Sequence, residues 1–156
     1  MRACGAALVG AMLVLAVAGG WADMGGSSDT PWNQQVNPQQ VTADYEAGYR
    51  QLQAGDYKGA IKAFKRVLKA NPQHAMAYTN LAYAYRQLGK YKKAIELYEE
   101  ALRLDPNLAE AHEYLGEAWL ALGKIDEARK HLAILEKLNP KLAEELRTAI
   151  ARHERS

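Results

Sequence analysis

Apolar residues recur along this chain at three- and four-residue intervals, the spacing that places a stripe on one side of an α-helix. Leu81, Ala82 and Tyr85 share one face, and Ala94, Ile95, Tyr98 and Leu102 share another. The stripes break at regular points: Gly55, Gly89 and Gly123 stand 34 positions apart, and Pro72, Pro106 and Pro140 each follow their glycine by 17. A glycine ends a helix by taking left-handed backbone, and a proline follows one because it cannot continue it. The pattern predicts helical pairs over residues 41–74, 75–108 and 109–140.

Reading down the 34-residue register gives columns. Ala60, Ala94 and Ala128 fall in one small-residue column, and Gly48, Ala82 and Gly116 in another. Phe64, Tyr98 and Leu132 form a large apolar column, while Tyr57, Tyr91 and Ile125 follow each glycine turn. Small columns let helices approach and large ones fill the space beside them. A single pair of this size cannot bury its own stripe, so neighbouring pairs must stack.

These columns resemble the tetratricopeptide repeat family. The middle repeat carries Tyr78, Leu81, Ala82, Tyr85, Gly89, Tyr91, Ala94, Tyr98, Ala101 and Pro106 at the family's places. Repeat 3 keeps His112, Leu115, Gly116, Trp119, Gly123, Ala128, Leu132 and Pro140, with Leu135 in a small-residue column and Glu136 where its neighbours have Leu68 and Leu102. Repeat 1 departs at its start, with Asp44 in the first aromatic column and Gln51 in the tyrosine column. That departure predicts a helix entered late and an end facing solvent. The resemblance implies an all-α, right-handed superhelical α-solenoid of three helix-turn-helix repeats closed by a capping helix. Residues 141–153 suit the cap, with Leu142, Leu146 and Ile150 on one stripe and charges elsewhere.

The resemblance also implies where a partner sits, since in this family the first helix of each pair lines a concave groove. The projecting positions are Thr42, Tyr45, Glu46 and Tyr49, then Met76, Thr79, Asn80 and Tyr83, then Glu110, Glu113, Tyr114 and Glu117. Arg86 and Gln87 extend the middle of that face. Tyr57, Tyr78, Tyr85, Tyr91 and Tyr98 are assigned to core columns, and Tyr45, Tyr49, Tyr83 and Tyr114 to the groove, where an apolar body with a polar tip suits partner binding. Family members that grip the acidic tails of cytosolic chaperones do so with Lys, Asn and Arg. The corresponding places here hold Tyr45, Tyr49, Asn80, Glu110 and Tyr114, so only Asn80 matches. A groove with Glu110, Glu113 and Glu117 repels an acidic tail and favours a protein or peptide segment carrying Lys or Arg beside an apolar or aromatic anchor.

The flanks bear on compartment. No charge occurs from Ala3 to Ala22, Arg2 supplies a short basic start, and Gly20-Trp21-Ala22 offers small residues ahead of Asp23. Residues 1–22 read as a secretory signal peptide, with a membrane anchor over 3–22 as the alternative. The expected location is periplasmic or secreted. Loss of Cys4 with the leader would leave no thiol, hence neither disulfides nor thiol catalysis. Residues 23–40, rich in Gly, Ser, Asn, Gln and Pro, read as a disordered tether, with docking of Trp32 and Val36 on repeat 1 as the other reading.

The chain has 20 basic and 18 acidic side chains, net +2; without Arg2 the balance is 19 to 18. The signs look interspersed, and no basic stripe suggests nucleic acid or anionic lipid. Any membrane contact is assigned to an uncleaved N-terminal segment. The repeats lack Ser and Cys, and no two histidines stand at helical metal spacing, so no catalytic centre, metal, cofactor or small-molecule substrate is expected. His112 reads as a packed substitute for an aromatic. The function expected is an exported protein-interaction scaffold, with self-assembly as the alternative.

Overall fold

The computed structural model describes residues 37–155 as seven helices: α1 Pro38–Gln53, α2 Tyr57–Ala70, α3 Ala75–Gln87, α4 Tyr91–Leu104, α5 Ala109–Ala121, α6 Ile125–Leu138 and α7 Pro140–His153. No strand occurs among the described residues. The leader, residues 23–36 of the tether, and the docking assigned to Trp32 and Val36 lie outside them.

The turns repeat as the sequence does. Gly55, Gly89 and Gly123 have φ of 75°, 71° and 72°. At each, the amide of the following residue reaches back over the turn: Asp56 N to Gln51 O, Lys90 N to Tyr85 O and Lys124 N to Trp119 O, all 2.9 Å. Nothing crowds these glycines, so backbone handedness alone requires them.

Core clusters sit across the joints between repeats. Ala60, Phe64 and Val67 of α2 pack on Ala77, Leu81 and Ala84 of α3. Ala94, Ile95 and Tyr98 of α4 pack with Ala111, Leu115 and Ala118 of α5. Ala128 and Leu135 of α6 pack with Ala143, Leu146 and Ile150 of α7. Phe64 and Tyr98 are wholly buried, and burying a ring of this size contributes about 2–3 kcal/mol. The small columns permit this closeness: a Cβ on Gly48 would lie 2.9 Å from the Phe64 ring, and one on Gly116 would lie 2.6 Å from Leu146 Cδ2. Helices α1, α3, α5 and α7 touch in succession, whereas α2, α4 and α6 do not touch one another. The first set therefore forms the inner side of the curve.

Two expectations are corrected. Repeat 1 is entered early, not late: α1 begins at Pro38, inside the segment assigned to the tether. Asn37 caps it by accepting from Gln39 N at 3.0 Å, and Pro38 suits the first helical turn because its missing N–H costs nothing there. Asp44, in the aromatic column, accepts from Arg66 Nε and Nη2 of α2 at 2.9 and 2.7 Å, so an ion pair replaces a ring at the open end. Charge is also less evenly mixed than the sequence suggests. Helix α2 exposes Lys58, Lys62, Lys65 and Lys69 and contains no acidic residue.

Candidate partner-binding groove

The inner helices bring an aromatic and ionic cluster together at the joint of α3 and α5. Tyr83 and Tyr114 lie with ring centroids 5.2 Å apart, and the Arg86 guanidinium covers both, 5.2 and 5.4 Å from their centroids. Arg86 Nη1 is 2.8 Å from Glu117. Tyr114 also touches buried Tyr98, 6.2 Å between centroids. The four positions fall together because 83 and 86 are one turn apart on α3, as 114 and 117 are on α5. Tyr83, Arg86, Tyr114 and Glu117 are all half-buried, with one edge open to a ligand. Burial pushes the Tyr114 hydroxyl pKa up, so the phenol stays a neutral donor.

The other predicted groove residues divide. Tyr49, Met76 and Glu110 are exposed, with Tyr49 48% and Met76 37% accessible. Thr42, Glu46 and Gln87 are exposed as well. Thr79 is not available: it is 1% accessible, and its hydroxyl donates to Ala75 O at 3.2 Å. Tyr45 and Asn80 are engaged with each other, Asn80 Nδ2 donating to the Tyr45 hydroxyl at 2.9 Å. The Tyr45 ring stacks on His74 at 5.0 Å and meets Phe64 edge-on at 5.7 Å. Tyr45 thus packs the joint of repeats 1 and 2 instead of projecting from it. His74 is fixed there as the α3 cap, its Nδ1 accepting from Ala77 N.

Glu113 requires a correction too. It is 7% accessible, and its pKa is pushed up to about 7, first by burial, then by the nearby Glu117 and Glu145 carboxylates, with Arg86 opposing. The cause is α7, which packs against α5 and continues the inner line. Glu113, Glu117, Glu145, Thr148 and Arg152 border a cleft of about 380 Å³ between these two helices. Sequence reasoning treated α7 as a cap and missed its share of the site. The signal was there: with repeat 3 ending at Pro140, Ala143 is the third residue of a new unit, in line with Ala43, Ala77 and Ala111.

His112 and His131 are brought together by α5 and α6. Their Nδ1 atoms are 3.0 Å apart, and His112 Nε2 lies 3.0 Å from Pro106 O. A carbonyl only accepts, so in the neutral pair His112 carries its hydrogen on Nε2 and receives one from His131 Nδ1. Burial, followed by the neighbouring His112, holds the His131 pKa down to about 4. Among the described residues, no three His, Cys, Asp or Glu side chains gather as a metal-ligand set.

Two tetratricopeptide-repeat family models match the chain, over residues 45–109 and 85–152. No curated protein matches it. Solved structures do. The first tetratricopeptide domain of Spaghetti (RPAP3), bound to the HSP90 peptide SRMEEVD, is 28% identical with a TM-score of 0.69, over 77% of this chain and 97% of that one. The second such domain of human RPAP3, in complex with the HSP70 peptide SGPTIEEVD, is 28% identical with a TM-score of 0.67, over 72% and 96%. The Yersinia enterocolitica type III secretion translocator chaperone SycD is similar in fold, 23% identical with a TM-score of 0.67, over 76% and 92%. The recurring glycine turns, the stacked helical pairs and two family matches that together span residues 45–152 place this chain in the tetratricopeptide-repeat family.

Proposed function

We propose that this protein is an exported interaction module that holds a segment of a partner protein along the inner faces of α3, α5 and α7. The observation that carries the reading is the Tyr83–Arg86–Tyr114–Glu117 cluster, open on one edge and continuous through Glu117 with the acidic cleft. Support comes from similar structures that hold peptides, namely the RPAP3 domains bound to SRMEEVD and SGPTIEEVD. The partner chemistry proposed here is the reverse of those acidic tails. Asn80, the one residue matching the tail-gripping pattern, is committed to Tyr45, and the positions that would hold cations hold Glu110 and Tyr114. A partner with a Lys or Arg for the cleft and an aromatic or aliphatic side chain for the tyrosine pair fits best. Modest affinity, about micromolar, is expected from so short a groove and an extended ligand. Export rests on the uncharged run Ala3–Ala22 followed by small residues.

The test is capture from an envelope extract followed by titration of the captured segment. Tyr83→Ala together with Glu117→Lys should weaken binding at least about tenfold, as loss of a central anchor does. Unchanged affinity would remove the groove from the account. A second reading is self-assembly through α6, whose outer face exposes Ile134 at 40% and Leu138 at 37%. Mass that rises with protein concentration in sedimentation, and falls on Ile134→Lys, would favour it.

A further inference from the structure

Among the described helices, α2 has a charge distribution that no other shares. Lys58, Lys62, Lys65 and Lys69 are spaced by four, three and four residues, which at ~100° per residue sets them within an arc of about 60° and along roughly 16 Å. All four are exposed, while the opposite side of the helix, Ala60, Ala63, Phe64 and Val67, is buried. The other outer helices match two of their three cations each to acids one turn away: Lys93 with Glu96 and Arg103 with Glu100 on α4, Arg129 with Asp126 and Lys130 with Glu127 on α6. On α2 only Arg66 is paired, to Asp44, and no ion pair among the described residues holds any of the four lysines. Because α2 touches only α1 and α3, this row faces away from the groove.

We propose that α2 is a docking face for an anionic lipid surface, which leaves the groove free for its partner. A row of lysines along one side of a rigid outer helix, with the Lys65 ammonium 5.9 Å from the Tyr85 ring centroid, meets a plane of headgroup phosphates without bending, and each lysine near such a surface adds attraction. Nucleic acid fits less well. The row is lysine, a hydrated point charge, where phosphodiester recognition favours the arginine fork, and the one aromatic within its span, Phe64, is buried and cannot stack on a base. Four lysines acting alone bind such a surface weakly and reversibly, so the contact is salt-sensitive. The inference takes from the export reading only the presence of a bilayer nearby.

The experiment is flotation of the full chain with vesicles of phosphatidylcholine alone and of phosphatidylcholine mixed with phosphatidylglycerol. Tighter binding to the mixed vesicles is expected, with the difference abolished at high salt. Lys58→Gln, Lys62→Gln, Lys65→Gln and Lys69→Gln combined should lose on the order of 1,000-fold in that preference. Their binding to phosphatidylcholine alone should be unchanged. Lys92→Gln, Lys93→Gln, Lys130→Gln and Lys137→Gln combined should retain the preference, which separates the row from total charge. Should the α2 quadruple variant not fold by circular dichroism, Lys62→Glu with Lys65→Glu serves in its place. Equal binding of both vesicle types, an α2 variant that binds like the wild type, or displacement from vesicles by duplex DNA at equal phosphate would overturn the proposal. Groove variants should float unchanged, so failure of the partner reading and failure of this one are separate results.

Discussion

Repeats 1 and 3 obey the same columns and use the positions between them in opposite ways. In repeat 1 the space at Gly48 is filled from within, by the Phe64 ring of its own second helix. In repeat 3 that column holds the smaller Leu132, and the space at Gly116 is filled by Leu146 of α7. The space at Gly48 is thus filled from within repeat 1, whereas the space at Gly116 of repeat 3 is filled by α7. Charge divides in the same sense. Repeat 1 carries unmatched lysines on its outer helix, while repeat 3 and α7 crowd Glu113, Glu117 and Glu145 on the inner side. Column residues fix the packing, and the positions they leave free are where one repeat can come to differ from another. A net charge of +2 conceals this polarity entirely.

The sharpest way to break the comparison is to empty each space. Phe64→Ala should cost about 4 kcal/mol and Leu146→Ala about 3 kcal/mol in chemical denaturation, since both side chains are wholly buried. In a stack whose units touch mainly their neighbours, the damage should stay local. Hydrogen exchange should report loss of protection in α1 to α3 for the first variant and in α5 to α7 for the second. Equal loss throughout would show that the two ends are not independent.

Much of this architecture is legible in sequence because its determinants are local and periodic. Gly55, Gly89 and Gly123 are required by backbone handedness, and Ala60, Ala94 and Ala128 by helix approach, so each leaves its mark at fixed spacing. The site is less legible, because its occupancy depends on contacts between repeats. Nothing at Thr79 itself says that its hydroxyl turns back to Ala75 O, and nothing at Tyr45 says that Asn80 and His74 hold it. Glu113 reads as exposed until α7 is seen to shield it. The lysine row of α2 is the contrary case: its spacing is visible in the sequence, and the mixed composition of the whole chain hid it.

Titration sharpens the comparison inside repeat 3, where two titratable groups, half-buried His131 and buried Glu113, act in opposite directions. His131 has a folded pKa of about 4, below the ordinary histidine value, so between those limits the unfolded chain binds more protons. Stability from this group is whole above about pH 6.5 and is lost as pH falls towards 4, by about 3 kcal/mol. Its surroundings are His112 of α5 and Glu127 and Lys130 of its own helix. His131→Phe should flatten that limb of a thermal-unfolding profile. Glu113 has its folded pKa raised to about 7, so the folded state binds the extra proton and stability is lost as pH rises from about 4.5 through 7. Glu113→Gln should therefore raise the melting temperature at pH 8, equivalent to about 2 kcal/mol, and leave it nearly unchanged at pH 4.5. A Gln variant no more stable than wild type at pH 8 would mean that solvent or Arg86 already meets the ionised carboxylate.

The smallest effect probes the open end of repeat 1, where a charge pair stands in place of an aromatic. Arg66 is 56% accessible and Asp44 13%, so the pair is partly screened, and Asp44→Ala should cost only about 0.5–1 kcal/mol at neutral pH. The hydrogen bonds from Arg66 hold the Asp44 carboxyl below its ordinary pKa, so the contribution is present above about pH 4 and disappears as acid protonates the carboxylate. Wild type and variant should converge at low pH. The same substitution releases Arg66, which lies beside the lysine row but is held back from it by Asp44. Loss of one anion and release of one cation should together strengthen binding to phosphatidylglycerol vesicles several-fold. Stability and lipid affinity would then move in opposite directions on one substitution, which a general loss of structure could not produce.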